Sequence, residues 1–374
     1  MKLLIAPDSF KGTLSAPQAA TIMARAFCRE LPIERVTILP LGDGGEGTAD
    51  ALIAAGAREE FCATIDGYGN AVTVRYAIID GNSAVIDSAS VVPMTASRRE
   101  PAVASSFGLG AAVKDAIGKG CRSVAIALGG TGSNDGGCGL AAALGVRFFD
   151  RSGQSFIPCG NTLGEIADYD VTDAARLLDG IAIRGLCDVD NPFYGPCGAA
   201  RVFAPQKGAD EATVELLDLG MCTLAGLILE KTGFDLQAFA GAGAAGGLGG
   251  GIAAFLGGTL ASGIRTVLEL LRFEERAKEA DLILTGEGCT DQQTMMGKAI
   301  MGVLNAAGSV PVVILSGLVK DVGDALYEKG AAAVCGTNRV AAEFSEVAER
   351  AEQTLFAEAV AAARLIATGL KLTR

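Results

Sequence analysis

Short apolar runs alternate with stretches in which apolar residues return every third or fourth position, a rhythm that predicts alternating strands and helices at both ends of the chain. The opening run, residues 1–7, reads as a strand. Ser15-Ala-Pro-Gln18 has the pattern of a capping box with proline in the first helical turn. Ile22, Met23, Ala26, Phe27 and Leu31 follow at helical spacing, a stripe that faces a core. Residues 36–41 predict a second strand and residues 48–55 a second helix, so the chain begins as βαβα and implies a parallel sheet. The last third returns to the same rhythm. Strands are expected at 281–284, 312–315 and 333–335, and a closing helix from about 345 to 368, stopped by Gly369.

The middle of the chain reads differently. Residues 60–66 and 70–80 alternate polar and apolar positions around Asp66-Gly-Tyr-Gly-Asn70, as a β-hairpin does, and residues 83–88 add a strand. Helices are expected at 108–118, 210–231 and 265–279, and strands at 124–128 and 181–186. The fold class expected is therefore α/β in two domains. A flavodoxin- or Rossmann-like parallel sheet is built from residues 1–60 and 281–374, and residues 61–280 form an inserted mixed α/β domain. A length of 374 residues suits two cores better than one.

Composition narrows the function classes. Half of the residues are apolar and 51 are glycine, as tight turns beside buried strands require. With 31 basic and 43 acidic residues the net charge is −12, opposite in sign to the usual nucleic-acid binder. Ten scattered cysteines and no histidine argue against a zinc site and fit reduced thiols in a cytoplasmic protein. No secretory h-region opens the chain. Residues 238–264 carry no charge, yet their many glycines read as a buried turn followed by a helix at 252–256 rather than a membrane span.

The candidate chemistry lies just beyond the apolar runs. Val124-Ala-Ile-Ala-Leu-Gly-Gly-Thr-Gly-Ser-Asn-Asp-Gly-Gly137 ends a strand in paired glycines, hydroxyls and one acid, followed by a short helix. Gly129, Gly130, Thr131, Ser133, Asn134 and Gly136 there suit a metal-complexed phosphate, because glycines let backbone N–H groups approach an anion. Four other segments repeat the plan and place Asp8, Asp43, Asp188, Asp190, Glu287 and Asp291, with Asp135, past strand ends. That is the edge where open α/β sheets hold ligands. Gly241-Ala-Gly-Ala-Ala-Gly246 matches GxGxxG, but it follows a poor strand and lacks the acid that a dinucleotide site needs. Neither a Walker A sequence nor a protein-kinase motif pair occurs.

Phosphoryl transfer needs cations, a metal and a proton acceptor. Without histidine the acceptor is a carboxylate or is dispensable. Cys187-Asp-Val-Asp190 sets two acids on alternate faces of a strand end, which favours Asp190 as the base with Asp188 beside it. Lys11, then Lys207, are the cations for a substrate carboxylate or phosphate. Asp8 and Ser9 fall beside Lys11 in the same loop, and Arg98 with Arg99 is placed to grip a carboxylate. Asp43, Glu287 and Asp291 are metal candidates, because Mg²⁺ prefers carboxylates and water. Gly286 and Gly288 supply further backbone donors.

These loops together resemble the type 1 glycerate kinases, which phosphorylate D-glycerate with ATP. The resemblance rests on Ala6-Pro-Asp-Ser-Phe-Lys-Gly-Thr-Leu14, Pro40-Leu-Gly-Asp-Gly-Gly-Glu-Gly-Thr48, the segment Leu128–Gly137, Cys187–Pro192, Ala204–Ala209, Gly241–Gly249 and Thr285-Gly-Glu-Gly288 with Asp291 and Thr294. It implies a cytoplasmic MgATP-dependent kinase of two α/β domains, monomeric or homodimeric, with no nucleic-acid or membrane partner. The implied product is 2-phosphoglycerate, formed in a cleft between the domains. A 3-phosphoglycerate product and a catalytically silent small-molecule-binding relative are the alternatives. Cys289 stands where the family usually has arginine, Gln292 replaces a usual serine, and the segment from Cys335 to Arg339 also departs from the family pattern.

Overall fold

A computed structural model of the chain describes residues 1–94, 97–295, 297–338 and 343–372. Arg339 therefore lies outside the described residues. Two compact units emerge: residues 1–43, 50–56 and 264–374 form the first, and residues 44–49 and 57–263 the second.

The first unit is built on a five-stranded, wholly parallel sheet. Arg35–Ile38 forms one edge, followed by Lys2–Ile5, Leu282–Thr285, Val312–Ser316 and Ala331–Gly336. Counted along the chain the order is 2-1-3-4-5, that of flavodoxin. Every residue of Leu282–Thr285 and Val312–Ser316 is buried, as strands covered on both faces must be. The helix Ala16–Glu30 begins at the expected capping box, in which Ser15 and Gln18 satisfy each other's backbone N–H groups. Its stripe of Ile22, Met23, Ala26 and Phe27 is buried with Leu355, Ala359 and Ala363 of the last helix in one core. That last helix runs Phe344–Leu372, straight through Gly369. A single glycine costs a long, packed helix only about 1 kcal/mol, too little to end it.

The second unit carries a six-stranded mixed sheet. Its order is Thr259–Ala261, Ala182–Leu186, Ser123–Ala127, Ser83–Asp87, Ala71–Ile79 and Arg58–Ile65. The first four are parallel and the last two add an antiparallel hairpin, as the alternating sequence predicts. The helix expected at 265–279, within the inserted domain, instead belongs to the first unit and is two helices, Gly263–Leu270 and Phe273–Lys278, broken where Arg272 takes a left-handed conformation at φ 48°. A three-stranded antiparallel ribbon, Arg147–Phe149 with Ser155–Phe156 and Asp168–Asp170, had no counterpart in the sequence reading.

Close backbone contact explains the glycine-rich stretch of this unit. The helix Ala244–Leu256 contains a left-handed break at Ala245, Gly246 and Gly247. The Gly246 carbonyl accepts a hydrogen bond from the Gly136 N–H at 3.0 Å. A Cβ on Gly246 would lie 2.2 Å from the Ser133 carbonyl oxygen, and one on Gly251 2.5 Å from that of Gly136. The glycines thus let a helix lie on a loop, and no dinucleotide is needed to account for them. Among the described residues one helix, Glu211–Thr232, is long and apolar enough to cross a membrane. Leu217, Met221, Leu224 and Ile228 bury one side of it in this unit's core.

Beneath that contact sits a buried polar node. Asp135 accepts hydrogen bonds from the Ser106 N–H and hydroxyl, both at 2.7 Å, and from the Gly137 and Gly139 N–H groups at 3.1 and 3.2 Å. Lys207 is 3% exposed and donates to the Ser133 carbonyl at 2.7 Å. Burial pushes Asp135 up and Lys207 down to about 7, while the Asp135 charge draws Lys207 back up. Removing the Lys207 ammonium leaves the buried Ser133 carbonyl without its donor. Lys207→Met is therefore expected to destabilise the protein by about 1–3 kcal/mol, read as a lower midpoint in thermal or urea denaturation. An unchanged midpoint would show that the ammonium does not support the node.

Candidate functional site

At the centre of the first unit's sheet the chain order reverses between Lys2–Ile5 and Leu282–Thr285. The connections leaving these two strands diverge and open a crevice beyond their carboxyl ends. A cavity of about 600 Å³ lies there. The loop after the first strand contributes Asp8, Ser9, Phe10 and Lys11, and the segment after Arg35–Ile38 contributes Asp43. Glu287, Gly288, Cys289 and Asp291 follow Leu282–Thr285, while Gly317 and Leu318 follow Val312–Ser316. Thr337 and Asn338 come from the end of the last strand, and Phe344, Val347 and Ala351 from the helix beyond it.

Hydrogen bonds fix these loops to one another. The Asp8 N–H donates to the Gly286 carbonyl at 2.9 Å, and the Gly317 and Leu318 N–H groups donate to the carbonyls of Glu287 and Gly288, each at 3.0 Å. A Cβ on Gly286 would meet the Leu315 carbonyl oxygen at 1.8 Å, so only glycine permits this crossing. Glu287 accepts from the Thr294 hydroxyl, and Asp291 from the Gln293 N–H at 2.9 Å.

The polar end of the cavity is crowded with negative charge. Asp8 is pushed up to about 7, first by burial and then by Asp43, with Glu287 adding to the effect. The Ser9 N–H, 2.6 Å from the Asp8 carboxylate, and the Lys11 ammonium oppose the rise. Burial also raises Glu287, against the hydroxyls of Thr294 and Thr290. Lys11 is 74% exposed with its ammonium 3.7 Å from Asp43, near enough to offset charge and free to reach a ligand. Cys289 sits in the lining with its sulfur 3.9 Å from an Asp291 oxygen.

Seven of the residues singled out by sequence thus meet in this one cavity: Asp8, Ser9, Lys11, Asp43, Glu287, Gly288 and Asp291. Gly286 is buried beside them. Among the described residues no three of His, Cys, Asp or Glu are grouped to chelate an ion. Asp43, Glu287 and Asp291 all line the cavity without being grouped that tightly.

The remaining expected residues belong to the second unit. Lys207, Ser133, Asn134 and Gly136 are buried, and the Ser133 hydroxyl and the Asn134 side-chain carbonyl have no hydrogen-bond partner among the described residues. Thr131 is likewise buried, its hydroxyl bonded to that of Ser88. Arg98 pairs with Glu100 at 2.8 Å and covers the Tyr68 ring at 4.2 Å, so its guanidinium already serves a local surface contact. Gly129 is exposed and Gly130 half-buried at the end of Ser123–Ala127. Asp188 and Asp190 are exposed past the end of Ala182–Leu186.

Two sets of residues escaped the sequence reading. Asp87 is buried and accepts from the Gly47 and Ala49 N–H groups at 2.8 and 3.1 Å, fixing the turn into the Thr48–Ala54 helix. It closes the strand Ser83–Asp87, a position close to the strand-end signal that marked Asp8. The apolar cavity wall of Phe10, Leu318, Phe344, Val347 and Ala351 carried no comparable signal, because lone apolar residues look alike wherever they pack.

Comparisons with known proteins agree with this picture. A family model described as the glycerate kinase family matches residues 3–367. A Bacillus subtilis (strain 168) protein named glycerate kinase is 37% identical, covering 100% of this chain and 99% of its own. Escherichia coli (strain K12) glycerate 2-kinase is 38% identical over 89% of this chain and 90% of its own. The crystal structure of a Salmonella typhimurium LT2 protein assigned as glycerate kinase 2 superimposes with a TM-score of 0.87 at 34% identity, covering 99% of both chains. The chain is an enzyme of the glycerate kinase family.

Proposed function

We propose that this enzyme transfers the γ-phosphoryl group of ATP to the C2 hydroxyl of D-glycerate, giving 2-phosphoglycerate and ADP. The observation that carries the reading is the cavity at the sheet's switch point, where acids and an exposed lysine meet in a family member. The relative named glycerate 2-kinase supports the C2 product.

In this reading the Lys11 ammonium neutralises a phosphate or the glycerate carboxylate, with Asp8 and Ser9 shaping its loop. The Gly129 N–H is already given to the Gly44 carbonyl at 3.2 Å, so the peptide groups of half-buried Gly130 and of Gly288 in the cavity lining supply the donors to phosphate oxygens. Asp190 takes the proton from the attacking hydroxyl, its exposed carboxylate being available to a substrate, and Asp188 flanks it. The crowding of Asp8, Asp43 and Glu287 is the kind of site a divalent cation relieves. Carboxylate oxygens without a tight cage fit Mg²⁺, which keeps several of its waters. When bound there, Mg²⁺ would neutralise phosphate charge, with Asp43, Glu287 and Asp291 holding it wholly or partly through water.

Purified enzyme is expected to release ADP with D-glycerate, ATP and Mg²⁺, and to stop when EDTA is added. Phosphorus NMR of the product should show a C2 phosphate ester. A C3 ester would replace the product assignment, and no turnover by a folded preparation would sink the reading. Asp190→Asn keeps the shape but cannot accept a proton. It should lower kcat by about a hundredfold or more while the ATP dissociation constant hardly moves. Unchanged turnover would place the base elsewhere.

Asp8 also makes a stability prediction. Its folded pKa, about 7, lies above the unfolded value near 3.8, so the folded state holds the extra proton between them. Stability attributable to Asp8 is therefore full at low pH and falls as pH rises through about 7. In metal-free buffer Asp8→Asn should match the parent below about pH 4 and exceed it above about pH 7, by up to about 4 kcal/mol. Melting curves at the two ends of that range check this, and an equal difference at both would contradict it.

A further inference from the structure

The polar half of the cavity accounts for phosphates and a three-carbon acid, but not for its size or for its other wall. A volume of about 600 Å³ falls in the range that holds drug-sized ligands, roughly 300–1,000 Å³. Opposite in character to the acids are Phe344, Leu318, Val347 and Ala351, all in the lining. Phe344 is 62% exposed and Leu318 43%. An aromatic ring and a leucine left uncovered inside a concave site lose hydrophobic stabilisation unless a ligand covers them.

The Phe344 ring is held in place from behind. Gly12 takes φ +79°, and a Cβ there would lie 2.7 Å from the tip of that ring. Gly12 follows Lys11, so a single loop carries the phosphate-directed cation and seats the aromatic ring. At the cavity edge, Asn338 is anchored through its N–H to the Gly317 carbonyl at 3.0 Å. An asparagine amide offers one donor and one acceptor, the pair that matches the N6 and N7 edge of adenine.

We infer that the Phe344–Leu318 wall of the first unit's cavity is the subsite for the purine base of the nucleotide, with Phe344 as its stacking surface and Asn338 reading the base edge. The inference rests on the kinase reading above and adds the location and the selectivity of the nucleotide. Base–aromatic stacking tolerates every base, because each has a π-face, so Phe344 contributes affinity. Preference for adenine over guanine falls to Asn338, since guanine carries an acceptor oxygen where adenine has its amino group.

Adenosine, which lacks phosphates, is the probe that isolates this subsite. Titration calorimetry on the full chain should show adenosine binding that weakens about tenfold in Phe344→Ala and recovers in Phe344→Tyr. In steady-state assays Phe344→Ala should raise KM for ATP by a similar factor and leave KM for D-glycerate within about twofold. Asn338→Leu should narrow the preference for ATP over GTP. Phe344 is largely exposed, so its truncation is expected to fold, which an unchanged thermal melt would confirm. Adenosine binding indifferent to Phe344→Ala, or a rise confined to the glycerate KM, would overturn the inference. Failure of the kinase reading looks different: the parent enzyme itself would then release no ADP.

Discussion

When strands pair in parallel, each connection must cross back over a face of the sheet, so every carboxyl end emerges along the same edge. In the first unit five such ends come together from positions as distant in sequence as Ile5 and Gly336. No individual loop here amounts to a site. Asp8, Asp43, Glu287 and Asn338 become neighbours because hydrogen-bond register leaves them no alternative, and the order reversal beside Lys2–Ile5 supplies the space between them. The chemistry of the cavity is in this sense a by-product of backbone pairing.

Position at a strand end does not by itself decide what an acid does, as two aspartates show. Asp135 and Asp8 both follow apolar strands and both are buried. Asp135 is met by two N–H donors from a turn entering a helix and by both polar groups of Ser106. It behaves as a structural keystone. Asp8 receives the Ser9 N–H and the nearby Lys11 charge, but burial first, and then Asp43 and Glu287, outweigh them, so its ionised form is disfavoured. A carboxylate surrounded by donors holds a fold together, whereas one crowded by like charge is poised for a cation or a ligand.

The same contrast measures what could be read from the sequence. The capping box at Ser15, the stripe of Ile22 to Phe27 and the alternation around Asp66 are local signals, and each appears in the structure at its place. The strand-end acids were legible as a class. Their separation into cavity and interior was not, because it depends on which donors a distant segment brings. Lys207 illustrates the point: a lysine before a glycine reads as a loop cation, yet tertiary packing buries it against the Ser133 carbonyl. The break at Arg272 and the short ribbon at Arg147–Asp170 fail for another reason, since segments of two or three residues have no measurable period.

One feature of the sheet also bears on how the chain is made. Lys2–Ile5 is an interior strand, and its partner Leu282–Thr285 lies about 280 residues further on, with the Lys2 N–H bonded to the Asp281 carboxylate. During synthesis the opening strand can pair only with Arg35–Ile38, leaving its other edge open until most of the chain has been translated. The residues of the second unit are complete before that partner appears. Closing so long a loop costs little extra free energy, because the entropy grows only with the logarithm of length, but it delays the contact. The nascent protein thus carries an apolar, half-paired strand edge through most of its translation, the kind of surface to which chaperones bind and from which aggregation starts.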